Sequence, residues 1–317
     1  MISTKSQTQN DEESQIPTPS ISNIFQNNSS KLYEETLLKL VKDTSFIENN
    51  PIQYHNDSNK LAIIIDPRFD PIMEAVIRNF MYFMNPQGWN LLIITYSGYI
   101  DDIKNKFPNT RQLPIEDTLI HYDENNLPNI SINIYNQIIL NIDLWKNLKE
   151  QHICIFQKDC IMFKMFNEYF NFYDFVGANY YRREHCSFLL GGINGGFSIR
   201  NRNTMIECLE KITLDKIVEY RKEYLLKLEN EIRFSHLLDT MNEDVFFTYA
   251  CEMLCKEVPD KLHRTFLAIE ADFNFDTSVY HGWHNNYHDI TKANTFLIQS
   301  PLFCNYIYNI DNTDIAD

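Results

Sequence analysis

Leu61-Ala62-Ile63-Ile64-Ile65 is an unbroken aliphatic run that stops at Asp66-Pro67-Arg68. A strand with one wet face alternates apolar and polar residues. A run without alternation fits a strand covered on both faces, as in a parallel sheet sandwiched by helices. Trp89–Gly98 (WNLLIITYSG) and His152–Cys160 (HICIFQKDC) repeat the pattern, and Tyr173–Tyr180 (YDFVGANY) reads as another short strand. Between the first two runs, DPIMEAVIRNFMYFM predicts a helix with Pro71 near its start and Asp70 placed to cap it. YNQIILNIDLW reads as a weaker strand or a strand-to-helix junction. The alternation predicts an α/β sandwich with a mainly parallel central sheet.

Residues 1–30 are polar and nearly free of bulky apolar side chains, so a disordered tail is expected there, followed by a single domain over 31–310. SKLYEETLLKLVKD predicts a leading amphipathic helix over 31–45, with Leu32, Tyr33, Leu37, Leu40 and Val41 on its apolar face. A long charged helix, broken at most once, is expected as an insertion over 215–240, shaping either an acceptor side or a homo-oligomer interface. The net charge of -15 argues against a nucleic-acid partner, which would call for a basic surface. The seven cysteines are scattered, with no CxxC pair, and read as reduced, mostly buried thiols. No apolar run approaches the ~20 residues of a membrane span, and the first residues lack an apolar secretory segment. The expectation is a soluble, cytoplasmic protein.

Ligands of open parallel sheets bind beyond the carboxyl ends of the strands. Those ends carry Asp66 and Arg68, then Thr95, Tyr96 and Ser97, then Gln157, Lys158 and Asp159. Asp159 either holds a cation or caps a following helix. Of the chain's 8 glycines, four (Gly191, Gly192, Gly195 and Gly196) fall within six residues around Asn194. A tight turn explains two of them. Four suggest a bare loop lining a hydroxyl-rich ligand, with backbone N–H groups open to it. The spacing is neither a P-loop nor a dinucleotide fingerprint. Arg200 and Arg202 follow, either as phosphate partners or as a solvated helix start. Asn242-Glu243-Asp244 opens a helix, either as an ordinary cap with acids in the first turn or with one acid in a cleft as a base. His281, His284 and His288 offer a single metal ligand more readily than a zinc cluster.

The order of these motifs resembles the common core of GT-A glycosyltransferases: a DxD motif, a glycine loop, an xED motif and a C-terminal histidine. Here they read QKD (157–159), GGINGGF (191–197), NED (242–244) and YHGW with His281. More narrowly, IFQKDC, YDFVGANY, NGGFSIRNR, NEDVFF and YHGWH are similar to the DUF5672 family of glycosyltransferase-like proteins, well represented in giant viruses. The likeness covers about residues 60–290. If the source is such a virus, the location would be the host cytoplasm or the virion.

The resemblance implies a GT-A-like α/β/α sandwich and an inverting transfer from a nucleotide-diphosphate sugar to a glycan or protein acceptor. It implies Mn²⁺ or Mg²⁺ on Asp159 and His281, with Asp244, assisted by Glu243, as the base. Asp66, Arg68, Thr95, Tyr96 and Ser97 would border the nucleotide. Gln157, Lys158, Gly192, Asn194, Gly195 and Gly196 would line the donor. Gln157 departs from the DxD pattern, and that departure favours an alternative: a sugar-nucleotide or glycan-binding module without turnover. A nucleotidyltransferase would carry a glycine-rich basic loop after the first strand, and DPRFDP has none.

Overall fold

The structure, a computed structural model, describes residues 21–179, 192–226, 241–270, 274–285, 290–304 and 306. Of the features singled out above, residues 1–20, Gly191, Cys186, His288 and the 227–240 part of the helical insertion lie outside these.

Among the described residues, eleven strands form three sheets: β1 (Lys60–Ile65), β2 (Asn90–Tyr96), β3 (Arg111–Ile115), β4 (His121–Tyr122), β5 (Pro128–Asn129), β6 (His152–Phe156), β7 (Cys160–Met162), β8 (Phe175–Asn179), β9 (Ile193–Asn201), β10 (Ala268–Ile269) and β11 (Val279–His281). The central sheet runs β3-β2-β1-β6-β9-β8. Strands β3, β2, β1 and β6 are mutually parallel, while β9 runs antiparallel to both its neighbours. β10, β11 and β7 form a small second sheet, and β4–β5 a hairpin. This is the expected α/β sandwich with a mainly parallel sheet.

The unbroken aliphatic runs serve two cores. Ala62 and Ile64 face one, with helix Pro71–Met84 and the small sheet; Leu61, Ile63 and Ile65 face the other, with helices Ile132–Leu140 and Glu243–Met253. Asp70 caps helix Pro71–Met84 by accepting from Met73 N at 2.9 Å, as the Asp-Pro pair predicts. The leading helix extends beyond expectation, as Ile21–Lys42. The stretch 21–30, expected in the tail, is therefore its first turns. Tyr33, Leu37 and Leu40 are buried against the first core.

Two other elements differ from the sequence reading. Tyr135–Trp145 is helical, as Ile132–Leu140 and Ile142–Asn147. Its β-branched isoleucines favour a strand, but Ser131 caps the first helix through Ile134 N (3.3 Å) and Asn141 caps the second through Asp143 N (2.9 Å). Asn194, Gly195 and Gly196 are not in a loop between elements but in the opening of β9, with Gly192 just before it. Its partner β8 pairs Ala178 with Asn194 and then Gly177 with Ser198, so Gly195-Gly196-Phe197 are extra residues in a bulge. A Cβ on Gly177 would lie 2.5 Å from Asn194 O and 2.7 Å from Phe197 O, so the bulge packs on a position only glycine fits.

Candidate active site

The site is assembled where β6 turns into β7. Cys160 N donates to Gln157 O (3.1 Å), closing a tight turn through Lys158 and Asp159, and Gln157 N donates to Gly196 O (2.9 Å). Lys158 Nζ is bonded to the Asp70 carboxylate. Burial disfavours charge on Asp70, but Lys158 and the Met73 N–H outweigh it and hold its pKa below the ordinary value. Beyond β1, Asp66 accepts from Arg68 N (2.8 Å), Nε (3.1 Å) and Nη2 (3.2 Å). Asp66 thus fixes the Arg68 guanidinium at the mouth of the cleft, and its hydrogen bonds raise the Arg68 pKa.

β11 runs antiparallel to β7 and sets His281 opposite Cys160. Gly282, at φ 74°, turns the chain so that Gly282 N (2.9 Å) and Trp283 N (3.2 Å) both donate to Asp159 O. The segment 281–284 is thereby wrapped around Asp159. His281 Nε2 lies 3.6 Å from Asp159 Oδ1 and 3.4 Å from Gln157 Oε1, and His284 Nδ1 lies 3.3 Å from Asp159 Oδ2.

These residues fit a divalent cation. Asp159 Oδ1 is buried with no hydrogen-bond partner among the described residues. The ligating atoms of Asp159, Cys160 and His281 lie within 4.8 Å of one another. Cys160 Sγ donates to Gly196 O (3.3 Å), which leaves the carboxylate and the imidazole as the candidate ligands. One hard oxygen with one imidazole suits Mn²⁺ or Mg²⁺.

The β9 bulge joins this cluster to the acidic helix. A Cβ on Gly196 would overlap the His281 ring, and one on Gly195 would overlap the Glu243 carboxylate. The glycines give room to protein side chains. Their amides are also taken: Gly195 N donates to Asp244 Oδ2 (3.0 Å) and Gly196 N to Asn194 Oδ1 (2.8 Å). The expected open backbone cradle is thus turned inward at both positions. Gly192, just before the same strand, and Asn194, within it, are buried.

Asn242 precedes helix Glu243–Met253 without capping it; its Oδ1 accepts from Asn136 Nδ2 (3.2 Å) while Glu243 N donates to Asn136 Oδ1 (3.2 Å). Arg200 and Glu243 form a two-pronged buried ion pair (2.6 and 3.0 Å), with the guanidinium 4.9 Å from the Phe175 ring centre and 5.4 Å from that of Phe247. Arg202 donates to Trp145 O (2.8 Å) and Lys146 O (3.2 Å). Arg200, buried within β9, is thus neither a solvated helix start nor a phosphate partner, whereas Arg202 is half-buried and opens helix Arg202–Lys211. Asp244 is buried, and its other oxygen accepts from Val245 N (2.7 Å).

A cleft of about 570 Å³ opens over the cluster, at the carboxyl edge of β1 and β6. The structure brings Asp66, Arg68, Gln157, Lys158 and Asp159 together in its lining. Thr95, Tyr96 and Ser97 stay outside it: Thr95 is buried, Tyr96 meets Tyr99 and Tyr122 edge-on, and Ser97 donates to Asp117 (2.8 Å). The lining also includes Tyr135, Trp283 and His284. His284 follows His281 in the H-x2-H spacing. Tyr135 carried no sequence signal, because its segment reads as a strand.

Fold and site together define an α/β protein with an acid–histidine pocket at the carboxyl edge of its parallel strands. Residues 118–291, more than half of the chain, match the family described as "Protein of unknown function (DUF5672)", and the chain belongs to that family. No curated protein matches it. Solved structures similar to it include the mannosyltransferase PcManGT from Pyrobaculum calidifontis in complex with GDP-Man and Mn²⁺ (9% identity, TM-score 0.31, 59% of this chain and 56% of that one). They also include the PaToxG glycosyltransferase (12%, TM-score 0.32, 74% and 80%) and the apo-form glycosyltransferase GlyE of Streptococcus pneumoniae TIGR4 (12%, TM-score 0.30, 62% and 43%). The chain thus spans less than two thirds of the length of the mannosyltransferase and of GlyE. Among the described residues, no helix is long and apolar enough to cross a membrane.

Proposed function

We propose that this chain is a glycosyltransferase, moving a sugar from a nucleotide-diphosphate sugar to the hydroxyl of a glycan or protein acceptor. One observation carries the reading: Asp159 and His281, distant in sequence, meet at 3.6 Å beneath the cleft that Asp66, Arg68 and Gln157 line. In the proposal Asp159 and His281 hold Mn²⁺ or Mg²⁺, which when bound supplies Lewis-acid neutralisation of charge on the departing diphosphate. Arg68 adds positive charge at the mouth, and Asp66 keeps it in place.

Asp244 is the proposed base. Two backbone N–H groups hold its carboxylate in place. The acceptor oxygen attacks the anomeric carbon, its proton passes to Asp244, and the nucleoside diphosphate leaves with the electron pair of the broken C–O bond. The stereochemistry is inverting. General-base assistance of this kind contributes roughly 10²–10⁴-fold. Glu243, with both oxygens held by Arg200, fixes the start of the helix that carries Asp244.

Two observations favour a second reading, a binding module without turnover: Gln157 stands where the motif carries an acid, and both Asp244 oxygens already accept hydrogen bonds. Incubation with a panel of sugar nucleotides and Mn²⁺ separates the readings. Transfer predicts release of nucleoside diphosphate that Asp244→Asn abolishes while the fold stays intact. Binding without release supports the module, and release of pyrophosphate would indicate nucleotidyl transfer.

A further inference from the structure

Three side chains that line the cleft carry a buried polar atom with no hydrogen-bond partner among the described residues: Tyr135 OH, Asp159 Oδ1 and Trp283 Nε1. Folding removes such atoms from water at a cost of about 1–3 kcal/mol each, unless something in the folded state bonds them. Asp159 is accounted for by the proposed cation. Tyr135 is not: a phenol can neither coordinate as an un-ionised group nor be stabilised by the apolar wall around it.

Its setting is specific. Tyr135 lies on helix Ile132–Leu140, whose next residue, Asn136, locks that helix to Asn242 and Glu243 through two side-chain bonds of 3.2 Å. Only 7% of Tyr135 is exposed, and the residue forms part of the cleft wall. Gln157 acts on its hydroxyl from one side without hydrogen-bond geometry, and the Glu243–Asp244 pair and Arg200 act on it as charges. Sharing the cleft wall with Gln157 while its neighbour Asn136 is bonded to Asn242 and Glu243, Tyr135 stands between the two halves of the site, the QKD turn and the acidic helix. Burial first, and the negative charge of Glu243 second, push the phenol pKa well above its ordinary value. The group is held neutral, as a hydrogen-bond donor and not as a base.

We propose that Tyr135 is a ligand-contacting residue whose hydroxyl donates to an oxygen of the donor sugar as that sugar lies between Gln157 and Asp244. The inference rests on the glycosyltransferase reading and adds to it a residue that recognises the sugar. Among polar side chains of the cleft wall, an immobilised neutral donor distinguishes a sugar oxygen by position, whereas the charged groups Arg68 and Lys158 suit phosphate.

Tyr135→Phe keeps the ring and removes only the hydroxyl. Calorimetry with Mn²⁺ present, using UDP and GDP against UDP-glucose and GDP-mannose, compares the variant with the wild type. The expected result is about ten-fold weaker binding of whichever sugar nucleotide binds, with binding of its nucleoside diphosphate unchanged. Equal affinity for the sugar nucleotide, or an equal loss on the diphosphate alone, overturns the assignment and leaves the glycosyltransferase reading standing. Failure of the wild type to bind any of the four overturns both. The melting temperature of the free protein is a second readout. Removal of a hydroxyl without a protein partner leaves it unchanged or raises it, and a clear fall would show the hydroxyl to be structural.

Discussion

Single residues decide the site most sharply at Gly195 and Gly196. The one gives room to the Glu243 carboxylate, the other to the His281 ring. Gly195→Ala and Gly196→Ala should each cost about 1–3 kcal/mol by overpacking, measured by urea unfolding. Only Gly196→Ala should displace His281 and weaken Mn²⁺ binding more than stability. Arg200 is the buried counterpart. Arg200→Met leaves Glu243 charged and unpaired and should cost about 3–5 kcal/mol, most of it regained in the Arg200→Met/Glu243→Gln double variant. A single variant as stable as the wild type would show that the pair does not hold the bulge. The sequence marked these glycines as unusual but not why. Glycine clusters read as loops, and the contacts that require them come from His281 and Glu243, which only the folded sheet brings close. Tyr135 was invisible for the same reason: nothing local distinguishes a tyrosine aimed at a cleft from one in a core.

Elements were legible where pattern and burial agree. The runs over β1, β2 and β6 are apolar on both faces and form strands buried on both faces. Helix Pro71–Met84 starts where Asp70 and Pro71 predict. Its cap gives a pH signature. The Asp70 pKa lies below that of an unfolded carboxylate, so its contribution is complete above pH ~4 and is lost as pH falls through the folded value. Asp70→Asn still caps but cannot pair ionically with Lys158. It should cost about 0.5–1 kcal/mol at pH 7, and the difference should shrink towards pH 3. A gap that does not change with pH would contradict the charge assignment. Elements were misread where propensity and context conflict. The isoleucines of Ile132–Leu140 favour a strand, and Ser131 with tertiary packing makes a helix. The leading helix proved part of the core: Leu37 is fully buried, and Leu37→Ala should cost about 2–5 kcal/mol.

The whole molecule explains why so scattered a set of motifs converges. Parallel β1 and β6 end at the same edge, delivering Asp66 and Gln157–Asp159 there. Antiparallel β9 enters from that edge with its bulge, so the Gly195–Gly196 backbone contacts His281 and Glu243 while β11 clasps Asp159 from the small sheet. The order of the motifs was readable in the sequence; the strand order that makes them neighbours was not, because register and crossing depend on contacts between distant residues. The central claim is that Asp159 and His281 hold one cation for a nucleotide diphosphate in this cleft. Calorimetric titration of Mn²⁺ with a nucleoside diphosphate into the wild type, Asp159→Ala and His281→Ala tests it directly. The account predicts binding by the wild type that both substitutions weaken at least ten-fold while the melting temperature without metal holds. Binding that neither substitution changes, or none by the wild type, would contradict it.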